Sequence, residues 1–245
     1  VFLEKKPMFH PLGPSFFELA RQVLSSTECG YDLLAAKFDH TPFRTPDRLL
    51  SQVAPYIRAL GPIGSALDVC CGTGAAMEML RPLCSERVVG VDFSQSMLDV
   101  GSMATRGAPG LARLEFVRAN VLEMSFDQEF DMAVCFGAMG HILPRDQFRF
   151  LGQVKRSLRR DGRLVLLSSY TPPRSSQIYW QARMFNAAMH VRNKLISPPF
   201  IMYYMTFLLP NAANLLSECG FEVQVQEDVF TEPWENVCMI IARNP

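Results

Sequence analysis

The 245-residue chain is 49% hydrophobic and 20% charged, enough apolar material for one large α/β domain, or one domain with an elaboration, and not the composition of a disordered chain. Lysine plus arginine and aspartate plus glutamate number 24 each, so the formal charge is zero and the basic surplus usual in a nucleic-acid binder is missing. Seven cysteines, an odd number with no C-x-x-C pair, predict reduced thiols in a cytoplasmic protein, and they offer no zinc-ligand spacing, so no metal is expected. The first residues lack a short apolar core ahead of a small-residue cleavage site, so no signal peptide is expected.

In chain order, Pro14 to Leu60 reads as helices broken at Gly30 and at HTPFRTP (His40–Pro46), a helical N-terminal cover over residues 1–60. From residue 61 to 245 a strand–helix alternation follows. Strands are predicted at Ser65–Cys70, Val88–Phe93, Leu114–Asn120, Asp131–Phe136 and Arg163–Ser168. Helices are predicted at Ala75–Leu83, at Ser94–Arg106 with Ser94 as cap, and at Asp146–Arg159, with Asp161-Gly162 turning the chain after the last. A short helix at Asn211–Cys219 precedes Phe221–Val229 and Val237–Arg243, whose short link makes them an antiparallel pair. The fold class is therefore α/β: a doubly wound, mostly parallel seven-stranded sheet with an antiparallel C-terminal hairpin and helices on both faces.

Residues 170–210 exceed what that alternation needs, and read as a helical insertion after the fifth strand. Ser175–Leu195 is helical in pattern, and Pro198–Pro210 is almost wholly apolar. Thirteen residues between prolines are too short to span a bilayer. A lid over an apolar substrate, ordinary core packing and shallow membrane contact are the readings, the last weakened because no basic face accompanies that segment.

The most specific signal is ALDVCCGTG (Ala66–Gly74) followed by Asp92 in VVGVDFS. A strand running into a turn with Gly72 and Gly74 lets backbone approach a ligand, and an acid at the tip of the next strand suits a ribose diol. A dinucleotide site wants a third glycine where this chain has Met77, and a pyrophosphate would not favour Asp68 just ahead of the turn. A ligand carrying an ammonium and a sulfonium would. That selects S-adenosylmethionine, with S-adenosylhomocysteine as product, over a nicotinamide cofactor.

Here the chain resembles the class I S-adenosylmethionine-dependent methyltransferases. Asp68, Gly72, Gly74 and Asp92 match their acid, glycine turn and second acid; NVLEMSF (Asn120–Phe126), FDMAVCFGAMGHI (Phe130–Ile142) and LRRDGRLVLLS (Leu158–Ser168) resemble their later motifs in order. DVCCGTG with VVGVDFSQSML is especially similar to the ubiquinone/menaquinone-biosynthesis C-methyltransferases. The chain departs from that subgroup at Cys70, at Asn120 and over Phe136–Gly140, which bears on the acceptor more than on the donor.

The resemblance implies that Asp68, Cys70, Gly72, Thr73 and Gly74 hold the methionine and ribose portion and that Asp92 takes the ribose hydroxyls. Phe93 and Met97 would pack near adenine, Asn120 and Val121 would bracket its edge, and Cys135, Phe136 and Gly137 would border the methyl group. His141 is the candidate general base, with a structural histidine as the alternative; Tyr31, His40 and Tyr170 are candidates to line the acceptor pocket, and Asp39 could join them. The expected activity is methyl transfer to a small, apolar or aromatic molecule, without a nucleic-acid partner. A non-catalytic S-adenosylmethionine-binding protein and a nicotinamide-dependent oxidoreductase are the alternatives. The sequence leaves the acceptor, its carbon, oxygen or nitrogen, and the oligomeric state open.

Overall fold

The computed structural model describes residues 10–245. The signal-peptide expectation and the first part of the N-terminal cover fall partly outside that range. Helices α1 (Phe16–Leu24) and α2 (Thr27–Leu34) come first, then a 3-10 stretch over Ala35–His40 and α3 (Asp47–Ala59). Ser15 starts α1 with a capping box: its side chain accepts from the Glu18 amide, and Glu18 accepts from the Ser15 amide.

The alternation then runs β1 (Ile63–Val69), α4 (Ala75–Leu80), β2 (Cys84–Asp92), α5 (Gln95–Ala104), β3 (Arg113–Arg118), β4 (Phe130–Cys135), α6 (Pro144–Ser157) and β5 (Leu158–Ser169). The chain closes with α7 (Gln177–Leu195), α8 (Asn211–Glu218), β6 (Glu222–Gln226) and β7 (Val237–Arg243). The seven strands lie in the order β3-β2-β1-β4-β5-β7-β6. Only β7 runs against the others, pairing antiparallel with both β5 and β6. The fold class is the one the sequence predicts.

Strand alternation divides the core. Leu67, Val89, Ala133, Leu164 and Ile240 face α6 and α8 through Phe150, Val154 and Leu216. Ala66, Val88, Val134, Val165 and Ile241 face α3, α4 and α5 through Val53, Ile57, Met77 and Leu98. A third, smaller cluster joins Met189 of α7 to Phe200 and Tyr203, with Val23 and Tyr31 packed against it. Burial on both faces is why these strands read as continuous apolar runs.

Asp161-Gly162 turns the chain within β5 rather than ahead of it. Asp161 takes a left-handed φ of +63° within β5, whose register against β4 shifts between Phe130 and Met132. The chain end holds this irregularity: the Asp161 amide donates to the Asn244 carbonyl at 2.7 Å, and the Asn244 amide donates to the Gly162 carbonyl at 2.8 Å. The strand can therefore begin at Leu158, directly where α6 ends. β3 likewise ends at Arg118, short of Asn120, whose Oδ1 accepts from the Leu122 amide at 3.0 Å and forms a turn. Among the described residues no helix is long and apolar enough to cross a membrane, and all seven cysteines are free thiols.

Candidate functional site

Strand order reverses between β1 and β4, and ligands in open α/β sheets bind where the carboxyl ends of such strands part. A cavity of about 230 Å³ opens there. Its floor at β1 is the turn Cys70–Thr73. Gly72 and Gly74 have φ of +53° and +85°, and Cys70, one of the positions where the chain departs from the pattern it resembles, also has a positive φ of +61°. The turn thus keeps a glycine-like backbone with a cysteine in its first position, at a steric cost of order 1–2 kcal/mol.

Asp92, at the end of β2, faces this turn. One carboxylate oxygen accepts from the Gly72 amide and the other from the Ser94 amide, both at 3.0 Å. Each oxygen keeps a free lone-pair position, so the group remains able to accept from a diol. Burial raises its pKa against these backbone bonds, which lower it. Phe93 and Met97 adjoin it in the cavity wall. Asp68 is 2% exposed and stands behind the lining, two residues before it begins at Cys70. Its Oδ2 has no hydrogen-bond partner among the described residues. Burial, and then the charge of Asp92, push its carboxyl up to about 8. An orphaned buried acid beside a second acid suits a cationic ligand, so these residues fit S-adenosylmethionine.

The opposite wall is apolar and comes from three places: Phe136–His141 after β4, Met202–Leu208 after α7, and Tyr31 and Phe38 before the sheet. Tyr31 and His141, which are 110 residues apart, meet with the phenol oxygen 2.9 Å from Nε2. His141 Nδ1 is 2.6 Å from the Ile201 carbonyl. A carbonyl only accepts, so Nδ1 carries the hydrogen and Nε2 accepts from Tyr31. Burial lowers the His141 pKa, so the ring is neutral, and burial together with Asp92 raises that of Tyr31.

Of the residues expected in the site, the cavity wall brings together Cys70, Gly72, Thr73, Asp92, Phe93, Met97, Phe136, Gly137, Tyr31 and His141. Others lie elsewhere. Gly74 caps α4 beneath the turn, and Val121 and Cys135 are buried in the core at 5% and 1% exposure. Asn120 is exposed in its own turn. His40 stacks on His10, and Tyr170 is 51% exposed with its hydroxyl on Glu227. Asp39 also stays outside the lining, but its carboxylate accepts from Thr73 Oγ1 at 2.6 Å. Asp32 accepts from Ser94 Oγ at 2.6 Å, so α2 and the residues after it are tied to the turn and to the start of α5. Arg44 is the one lysine or arginine among the described lining residues. Its place in a proline-bounded loop, outside any apolar periodicity, was the only trace it left in the sequence.

A family model described as a methyltransferase domain matches residues 66–162. Demethylmenaquinone methyltransferase of Bacillus cereus is 30% identical over 181 residues, 69% of this chain and 74% of that protein. The Clavibacter sepedonicus protein of the same name is 35% identical over 120 residues, 47% of this chain but only 46% of its own length. The chain thus spans under half of some curated relatives it matches. Among solved structures, an S-adenosylmethionine-dependent methyltransferase from Methanosarcina mazei superposes with a TM-score of 0.59 at 21% identity, over 77% of this chain and 96% of that one. Magnesium protoporphyrin IX methyltransferase from Synechocystis, solved with bound S-adenosylhomocysteine, gives 0.59 at 14% identity over 94% of both chains. These two establish likeness of fold; the Bacillus relative carries it to descent. The chain belongs to the class I S-adenosylmethionine-dependent methyltransferases.

Proposed function

We propose that this protein transfers a methyl group from S-adenosylmethionine to a small, apolar or aromatic acceptor, with residues 170–210 serving as the acceptor-side lid. One observation carries the reading: a single cavity has Asp92 and a glycine turn at one end, with Asp68 buried behind them, and an apolar wall with a Tyr–His pair at the other. When bound, the donor supplies an activated methyl on a positively charged sulfur. The chain's own work is then alignment and exclusion of water.

Asp92 would accept from the ribose hydroxyls, Phe93 and Met97 would flank the base, and Arg44 would meet the carboxylate at the amino-acid end. Asp68 would favour the ammonium through the field it shares with Asp92. At the acceptor end, a hydroxyl or enol could give its proton to the Tyr31 oxygen as Tyr31 passes its own to His141 Nε2. The Nδ1–H bond to Ile201 holds the ring for that exchange. The acceptor named in the Bacillus relative, a demethylated menaquinone, is flat and largely apolar, and the methionines and aromatics at 202–207 suit a molecule of that kind.

Native mass spectrometry of the purified protein, calorimetry with S-adenosylmethionine and turnover against quinone and phenol panels test this. Micromolar donor binding and methyl incorporation are expected. Asp92→Ala should weaken donor binding tenfold or more, and His141→Ala should cut turnover about 10²-fold while sparing donor affinity. Absence of donor binding overturns the reading. Donor binding without turnover on any acceptor moves the protein to the non-catalytic class.

A further inference from the structure

We propose that the outward face of α7 docks the protein onto an anionic lipid bilayer. The inward face of this helix is occupied: Ala182, Met189 and Arg192 are buried, and Met189 packs with Phe200 and Tyr203. The outward face carries Trp180, Met184, Val191 and Leu195 at 56%, 71%, 59% and 76% exposure. With Ala187 and Ala188, also exposed, they fall within an arc of about 100° at helical spacing. Four large apolar side chains along about four turns, bridged by two alanines, form a continuous stripe rather than the scattered apolar residues of an ordinary surface.

Charge selects the occupant. Between Tyr170 and Pro210 there is no aspartate or glutamate, whereas Arg174, Arg183, Arg192 and Lys194 are present, in a chain whose acids and bases balance overall at 24 each. Arg192 is turned inward, its guanidinium on the Val23, Ser25 and Pro198 carbonyls. Arg183 and Lys194, both exposed, border the apolar arc on one side, with His190 beside them. An apolar stripe edged by cations, with an indole at one end, is the arrangement that lies in a headgroup layer. The Trp180 Nε1–H already donates to the Arg174 carbonyl at 2.8 Å, so the ring can enter the interface without leaving a donor unpaired. The apolar segment Pro198–Pro210 is not itself this surface: Phe200, Tyr203, Phe207 and Leu209 are buried.

The test needs no methyl transfer, so it stands or falls apart from the proposed activity. The full chain is sedimented with vesicles of phosphatidylcholine alone or with a quarter phosphatidylglycerol, and tryptophan emission is followed with brominated lipids. Trp234, the second of two tryptophans, is 2% exposed, so Trp180→Phe isolates the signal. Expected are preferential partition onto the anionic vesicles, quenching of Trp180, and a loss of about fivefold for each of Arg183→Gln and Lys194→Gln, from the attraction a basic residue has for such a surface. Met184→Ser with Val191→Ser and Leu195→Ser should abolish partition. Equal binding to both vesicles, no binding, or sedimentation without Trp180 quenching overturns the proposal. So does a stable dimer or a complex with another protein that the triple serine variant dissociates while vesicle binding is absent.

Discussion

Asp68 is the residue whose chemistry is least balanced in the unliganded protein. A carboxyl in the folded state with its pKa raised from 3.8 to about 8 is ionised in the unfolded chain across that range but not in the folded one. Its contribution to stability is therefore greatest below about pH 4, falls as pH rises and levels off near pH 8. A cation brought close reverses the balance by favouring the carboxylate. Donor binding at pH 7 should thus release nearly one proton from this group, and affinity should rise between about pH 6 and pH 8. Calorimetry in buffers of different ionisation enthalpy measures the proton count. Asp68→Asn should abolish that release, weaken binding at pH 8, and remove this group's share of the pH slope in the stability of the unliganded protein. A variant that releases as many protons as the parent would show that another group, or the ligand amine itself, is responsible.

At the scale of elements, the turn after β4 and the segment after α7 act as one wall because a glycine lets them touch. A Cβ at Gly140 would stand 2.5 Å from the Tyr203 carbonyl oxygen, closer than backbone permits. Around it the Tyr203 amide donates to the Gly140 carbonyl at 2.8 Å, Thr206 Oγ1 to the Met139 carbonyl at 3.1 Å, and His141 Nδ1 to Ile201. Gly140→Ala should push the two segments apart, loosening the Ile201 bond that orients His141. Steady-state kinetics should show a raised KM for the acceptor and a lowered kcat, with donor affinity by calorimetry within about twofold; a change confined to donor affinity would contradict the arrangement. The sequence marked Gly140 only as a departure from the related quinone enzymes, since close approach between residues 63 positions apart has no local signature. The parts that were legible are local: apolar runs for both-face burial, Ser94 as cap, and the acid–glycine–acid spacing of Asp68, Gly72 and Asp92. The absent third glycine has a similar non-local answer. Met77 packs against Gly90 of β2, where a Cβ would lie 2.3 Å from its sulfur, so the room for helix on strand comes from the strand. Asn120 escaped because its side chain satisfies its own turn, a competition that strand periodicity cannot register.

Taken whole, the molecule closes its cavity with two segments far apart in sequence, and one side chain clamps them together. Arg192 is 8% exposed, and its guanidinium donates to the Val23, Ser25, Ile196 and Pro198 carbonyls as well as to Asn193 Oδ1. The Ile201 amide donates to Thr27 Oγ1 at 2.8 Å alongside it. By contrast the sheet has its own two apolar clusters, with no member from α1, α2 or α7. Stability should therefore be unequal, the covering segments opening at lower cost than the sheet. Arg192→Ala removes the donor shared by four carbonyls, each costing about 1–3 kcal/mol if left buried and unpaired, though loops can relax toward water. Hydrogen exchange should then quicken by tenfold or more over residues 16–45 and 177–209 while β1, β4 and β5 keep their protection. Arg192→Lys should recover only part of it, because an ammonium cannot fork to four acceptors. Saturating S-adenosylhomocysteine should restore protection over 31–45 in the variant, since ligand in the cavity is held partly by those residues. Uniform acceleration across the sheet strands would mean that cover and sheet unfold as one unit, and that Arg192 supports the global fold rather than the closure of the site.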